Sequence, residues 1–343
     1  LGGTLAGAVL TTQVAGPLLA QEDMRQASVY EQLDLFGDIF ERIRAQYVEP
    51  VDEADLIEYI GRDDETSVIG MYIEGAERGK AFMEKAKEAS RRKALVTLKS
   101  GRSSSGARAA SSHTGSISGS DDIWEAAMEQ AGVLRAKDMD ELFDYCLAFS
   151  KMEVPGGEGT VIVTNAGGLG VMSADACNDY GVTLAELDES TVERLREGLP
   201  VEASPYNPVD IVGDANLDRV KFALETILSD KNVHCLAAIF GPNDIIDLEG
   251  IAKELAEMKK RTDVPILASF IGGKQVAPSV QMLKELGIPN YDIPDRAMRA
   301  ISALMKCRRV MEEREEEEMV QVSGDRNEVR RILDQAKEQG RVS

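Results

Sequence analysis

Short runs of apolar residues recur along this chain, each followed by a polar or glycine-rich turn and then by residues with helical spacing. The runs span 68–73, 94–98, 160–164, 235–240 and 265–270. An apolar run of this length without polar alternation is a strand buried on both faces, and such strands, separated by helices, pair in parallel. The repetition predicts an α/β chain of doubly wound parallel sheets, with helices over 121–131, 171–180, 248–260, 276–286 and 296–314. At 343 residues, two domains of this kind fit.

The turn after 94–98 differs from the others. From Lys99 to Gly119 there is almost no large apolar side chain, so this stretch is expected to lie outside the core. It contains Gly106-Ala-Arg-Ala-Ala-Ser-Ser-His113-Thr-Gly-Ser116, and the chain has only one other histidine, His234. Open α/β sheets place ligands at the carboxyl ends of their strands, which is where this loop begins. Glycines allow close backbone approach, hydroxyls and amides bind phosphate oxygens, and Lys99, Arg102 and Arg108 add positive charge. The loop therefore has the makeup of a phosphate-handling segment carrying one nucleophile, His113. By residue type alone, a solvated surface histidine also fits. His234 directly precedes an apolar strand and reads as structural.

A second strand-end turn, Asn165-Ala166-Gly167-Gly168-Leu169-Gly170, feeds a helix, whose free amides and positive dipole end make an anion site. Turns of this composition also serve only to pack strand against helix. A third segment, Glu202-Ala-Ser-Pro-Tyr-Asn207-Pro-Val-Asp210-Ile-Val-Gly213, offers Asn207, Asp210 and Gly213 to line a substrate pocket, although Asn-Pro is also a plain turn former.

Composition excludes some classes. A formal charge of -21 argues against nonspecific binding to nucleic acid or to an anionic membrane. The four cysteines are widely spaced without a Cys-x-x-Cys pair, so they suggest neither a disulfide framework nor a zinc site, and reduced thiols in a cytoplasmic protein are expected.

The His113 loop, followed by Gly119-Ser-Asp121, resembles the phosphohistidine loop of the NDP-forming acyl-CoA synthetases, the ADP-forming acetyl-CoA synthetases related to succinyl-CoA synthetase. The likeness extends over Tyr72-Ile-Glu74-Gly75, Thr164-Asn-Ala-Gly-Gly168 and the 202–215 loop. It implies two flavodoxin-like, succinyl-CoA synthetase-like domains. It also implies interconversion of acyl-CoA, ADP and phosphate with the free acid, CoA and ATP through an acyl phosphate. His113 would carry the phosphoryl group and Glu74 would orient its ring. Gly101, Arg102, Ser103, Ser112, Thr114 and Gly115 would hold phosphate oxygens from one side, and Asn165, Ala166, Gly167, Gly168 and Gly170 from the other. Mg2+ would travel with ATP or ADP, and an ATP-grasp subunit or domain and an oligomer are expected.

The ends read differently. Residues 1–20 form an uncharged, weakly apolar segment, leader-like or an ordinary apolar helix, and 29–48 an amphipathic helix resembling the start of exported carboxy-terminal processing proteases. The expected organisation is a helical extension over 1–50, a phosphohistidine domain over 51–152 incomplete at its start, and a succinyl-CoA-ligase-like domain over 156–310. An acidic linker and the opening of an ATP-grasp domain, over 311–343, would follow. The chain reads as a hybrid joined near Val51-Asp-Glu-Ala54, with the CoA and nucleotide sites largely missing. A remnant without turnover and an exported protease relative are the alternative readings.

Overall fold

A computed structural model of the chain describes residues 9–10, 53–76, 78–103, 105–106, 108, 121–319 and 331. Two compact units result, 1–308 and 309–343. The first contains two four-stranded sheets.

In the first sheet, β1 (Val9–Leu10), β2 (Val68–Ile73), β3 (Ala94–Lys99) and β4 (Leu134–Ala136) lie side by side in that order. β2, β3 and β4 are parallel, joined through α2 (Gly79–Ala89) and α3 (Asp121–Ala131). The register Val68↔Ala94 to Ile73↔Lys99 puts Ile69, Met71 and Ile73 on the same face as Leu95, Thr97 and Lys99. That face is covered by α1 (Glu53–Gly61), α2 and α3, through Ile57, Ile60, Phe82, Ala86 and Met128. Phe82 meets Trp124 edge-on, with centroids 6.0 Å apart. α4 (Met139–Lys151), capped by Asp138 accepting from the Glu141 amide at 2.8 Å, packs on β2 and β3. It approaches β2 so closely that a Cβ on Gly70 would stand 2.8 Å from the Cys146 sulfur.

The second sheet has the order β6-β5-β7-β8, all parallel: β5 (Thr160–Thr164), β6 (Val209–Asp210), β7 (Cys235–Phe240) and β8 (Ile266–Phe270). The chain leaves β5 for one side and then returns to the other at β7, which creates a switch point at the carboxyl end. Its connecting helices are α5 (Gly167–Tyr180), α6 (Glu189–Gly198), α7 (Leu217–Leu228), α8 (Leu248–Lys259) and α9 (Ala277–Glu285). α7 and α8 begin on side-chain caps, with Asn216 and Asp247 each accepting an amide at 2.9 Å. The last helix, α10 (Pro294–Met319), ties α4 to this half: Arg296 grips Asp144 with two hydrogen bonds of 2.7 and 2.8 Å, and Arg299 reaches Glu141 at 3.4 Å.

Several expectations are corrected. Val9–Leu10 is an antiparallel edge strand on β2, not part of an apolar helix, because β2 offers it an open row of backbone groups. The remaining leader-like residues and the 29–48 helix lie outside the described residues. The helix expected over 296–314 runs further, and the α10 backbone stays helical through the acidic run to Met319. Beyond Met319, where the opening of an ATP-grasp domain is expected, only Arg331 is described, and its backbone is helical. The cysteines are free, and burial pushes the thiols of Cys146 and Cys177 up to about 12. His234 fits tightly: a Cβ on Gly157 would collide with its ring, and its amide donates to the Gly159 carbonyl at 2.7 Å. Among the described residues no helix is long and apolar enough to cross a membrane.

Candidate functional site

The carboxyl ends of β2 and β3 gather charge in a small space. β2 runs out into Glu74 and β3 into Ser100, and the amide of Ser100 donates to the Ile73 carbonyl at 2.9 Å, which holds the two exits together. Glu74 is half-buried, and the Tyr72 hydroxyl donates to its Oε1 at 3.3 Å. The other oxygen, Oε2, is buried and has no hydrogen-bond partner among the described residues. Burial, and then the charge of Glu74, hold the Tyr72 phenol above its ordinary range, so it remains a donor.

Lys99 overturns the expectation for its stretch. It is 2 % exposed, and it lies on the core face with Ile73. Its ammonium donates to the Ser100 carbonyl and sits 5.5 Å from the Trp124 ring centroid. Burial pushes it below its ordinary value. A long aliphatic stem makes this burial feasible. The one sequence signal was position: Lys99 continues the β3 apolar run by one residue.

Beyond Ser100 the loop turns sharply at Gly101, φ 72°, which a side chain would resist. Arg102 and Ser103 are exposed. The Ser103 hydroxyl accepts from the Gly106 amide at 3.0 Å, and Ser105, Gly106 and Arg108 have helical backbone, so Ser103 acts as the cap of a helical turn. Ser112, His113, Thr114 and Gly115 lie outside the described residues.

At the second sheet, the turn after β5 is shorter than the sequence suggests. α5 begins at Gly167, so Gly167, Gly168 and Gly170 form its first turn and Ala166 its cap, with no side chain satisfying the first amides. Glycine is a poor helix former but is tolerated at this end. Close packing is its use here: a Cβ on Gly170 would lie 3.3 Å from Pro208 and Thr164, and one on Gly167 3.0 Å from Asp210 Oδ2, whereas Gly168 faces open space.

The side chains of two candidate residues are committed to the scaffold. Asn165 bridges β5 to β7, donating to the Gly241 carbonyl and accepting from its amide, both at 2.9 Å. Asn207 substitutes for a neighbouring strand: it accepts from the Ile162 amide at 3.0 Å and donates to the Thr160 and Ala185 carbonyls at 2.8 and 3.0 Å. Both side chains thus serve the sheet, Asn165 at the start of the turn and Asn207 beside β5. Asp210 does reach the turn. Its Oδ1 accepts from the Val212 amide at 2.9 Å, and Val212 itself stands at φ 69°. A β-branched residue there costs about 1–3 kcal/mol, strain of a kind found near ligand sites. Gly213 completes the rim beside Asn243, whose amide donates to its carbonyl at 2.6 Å. Among the described residues no cluster of metal-ligating side chains occurs.

Two sheets, parallel but for the β1 edge, with polar, glycine-lined carboxyl ends define a doubly wound α/β protein with its ligand-accepting ends at those turns. Residues 49–149 match the succinyl-CoA ligase-like flavodoxin domain, and 160–309 the ligase-CoA domain. An ADP-forming acetate–CoA ligase I of Archaeoglobus fulgidus is 40% identical over 290 residues, covering 84% of this chain and 41% of the relative. The alpha subunit of the corresponding ligase I of Pyrococcus furiosus is 39% identical over 263 residues, covering 75% of the chain and 56% of the relative. A solved dinucleotide-forming acetyl-coenzyme A synthetase 1 of Ca. Korarchaeum cryptofilum, in complex with phosphate and ADP, superposes with a TM-score of 0.73 at 36% identity, over 76% of this chain and 57% of that one. Through residues 49–309 the chain belongs to the NDP-forming acyl-CoA synthetase family. It spans about half the length of the relatives it matches.

Proposed function

We propose that this chain is the phosphohistidine-carrying part of an ADP-forming acyl-CoA synthetase of the acetate–CoA ligase type. The observation that carries the reading is the end of β2: Glu74 keeps one carboxylate oxygen fixed by Tyr72 and the other, buried, without a partner among the described residues. A buried acceptor left open is costly unless something fills it. An imidazole N–H from His113 would fill it, fixing the tautomer and leaving the other ring nitrogen as nucleophile. His113 would attack the phosphorus of an acyl phosphate. The N–P bond forms, the bond from phosphorus to the acyl oxygen breaks, and the carboxylate leaves; ADP then takes the phosphoryl group and becomes ATP. Gly101, the amides around Arg102 and Ser103, and Ser112, Thr114 and Gly115 would hold phosphate oxygens, with the amides of Gly167 and Gly168 as a second anion site. Asp210 and Gly213 would line the acyl end.

CoA and the nucleotide complete the reaction, with Mg2+ carried by the nucleotide phosphates and an ATP-grasp subunit or domain as partner. An oligomer in the cytoplasm is the expected setting. The domain organisation proposed is 51–152 for phosphohistidine and 156–310 for the ligase-like half. With acetyl phosphate and ADP, plus a separate ATP-grasp subunit, the chain is expected to form ATP, and His113→Ala to form none. ATP made equally by His113→Ala would refute the reading.

A further inference from the structure

A β-branched residue keeps a left-handed backbone only where its surroundings over-determine it, and such positions gather at ligand clamps. Val212, φ 69°, is the one non-glycine residue at positive φ among the described residues. Its neighbours are fixed from three strands. The Ile211 amide donates to the Thr164 carbonyl of β5 at 2.8 Å, the Val212 amide donates to Asp210 Oδ1 on β6 at 2.9 Å, and the Gly213 carbonyl accepts from Asn243, beyond β7, at 2.6 Å. In the order β6-β5-β7-β8, a segment that starts on β6 and meets the turn after β7 has to pass over the carboxyl end of β5. Val212 stands in the middle of that crossing, at the switch point where open α/β sheets take ligands.

The turn itself does not call for a valine, since glycine adopts the same φ without strain. Ile211 and Ala215 belong to the buried core, at 0% and 1% exposed, whereas Val212 is half-buried and lies outside it. The isopropyl group thus answers neither to the backbone nor to the core. We propose that Val212 is a specificity-determining residue, whose isopropyl group restricts the acyl group accepted at the carboxyl end of β5 to a short, unbranched one. The proposal rests on the reading of this end as the acyl site of a phosphohistidine enzyme. The first turn of α5 is packed closely against the same β6 region: a Cβ on Gly167 would stand 3.0 Å from Asp210 Oδ2, and one on Gly170 3.3 Å from Pro208. One methylene more or less in an apolar pocket changes selectivity by about 10–200-fold, so a single valine is enough to set the limit.

The test uses the full chain as wild type, Val212→Ala and Val212→Gly, with labelled acetyl phosphate and labelled isobutyryl phosphate as probes. Alanine shortens the side chain and keeps the strain; glycine removes both. Thermal unfolding of the glycine variant at or above the wild-type temperature is expected, because the strain has gone. The quantity read is the ratio of the rates at which the two probes label His113. The wild type is expected to favour acetyl phosphate, and that preference to fall about ten- to a hundredfold in both variants. An unchanged ratio in both, a wild type without preference, or folded variants that take no label from either probe would overturn the proposal and leave the phosphohistidine reading standing. A folded wild type that takes no label from either probe would overturn both.

Discussion

Asp144→Ala is expected to lower folding stability by about 3–5 kcal/mol, the cost of removing one partner from a buried ion pair. The Asp144 side chain is 4% exposed, and its two oxygens receive Arg296 at 2.7 and 2.8 Å, with Arg299 at 3.9 Å. Its backbone carbonyl also accepts from the Tyr291 hydroxyl at 3.1 Å. Burial pushes the carboxyl up, and the two guanidinium groups oppose that push. Alanine would take from Arg296 its two-pronged partner, leaving it Asp292 at 3.1 Å and Asp140 at 3.8 Å, and would leave Arg299 with Glu141 at 3.4 Å. The exposed pair Arg62–Glu58, at 2.6 Å, is the control: its loss is expected to cost less than about 1 kcal/mol. Urea denaturation measures both, and equal effects would contradict the assignment of Asp144 as the tie between the first sheet and α10.

Glu74→Gln is expected to slow phosphorylation of His113 by about 10²–10⁴-fold, within the range for losing an acid–base or tautomer-fixing partner. Glutamine keeps the size of the side chain and an acceptor for Tyr72, so the change isolates charge. Stability is expected to hold within about 1 kcal/mol, because glutamine retains the hydrogen bond that the carboxylate makes at 3.3 Å. Single-turnover labelling with acetyl phosphate separates the two effects. A rate within a few-fold of the wild type would remove Glu74 from the chemistry.

Much of this arrangement was legible in the residues. Val68–Ile73 and Thr160–Thr164 are unbroken apolar runs, and each is the strand its composition implies. β4 and β6 were not foreseen, because Leu-Arg-Ala and Val-Asp are too short to show a period. The start of α5 was placed at residue 171 by the poor helix propensity of its glycines, yet packing against Pro208 and Asp210 draws them into the helix. The scaffold bonds of Asn165 and Asn207 were hidden for a different reason. Their hydrogen-bond partners are 76 and 45 residues away, and an asparagine in a turn carries no sign of a long-range bond. Lys99 belongs with them: composition assigned it to the polar loop, whereas its register with Ile73 puts it in the core. The roles of Glu74 and His113 came from the family likeness, not from periodicity.

That one imidazole carries the phosphoryl group is tested most directly by incubating the purified chain with labelled acetyl phosphate and locating the label. An acid-labile, base-stable phosphate on His113, absent from His113→Ala, is the predicted result. A folded wild-type chain that takes no label, or takes it equally with His113 replaced, would contradict the account.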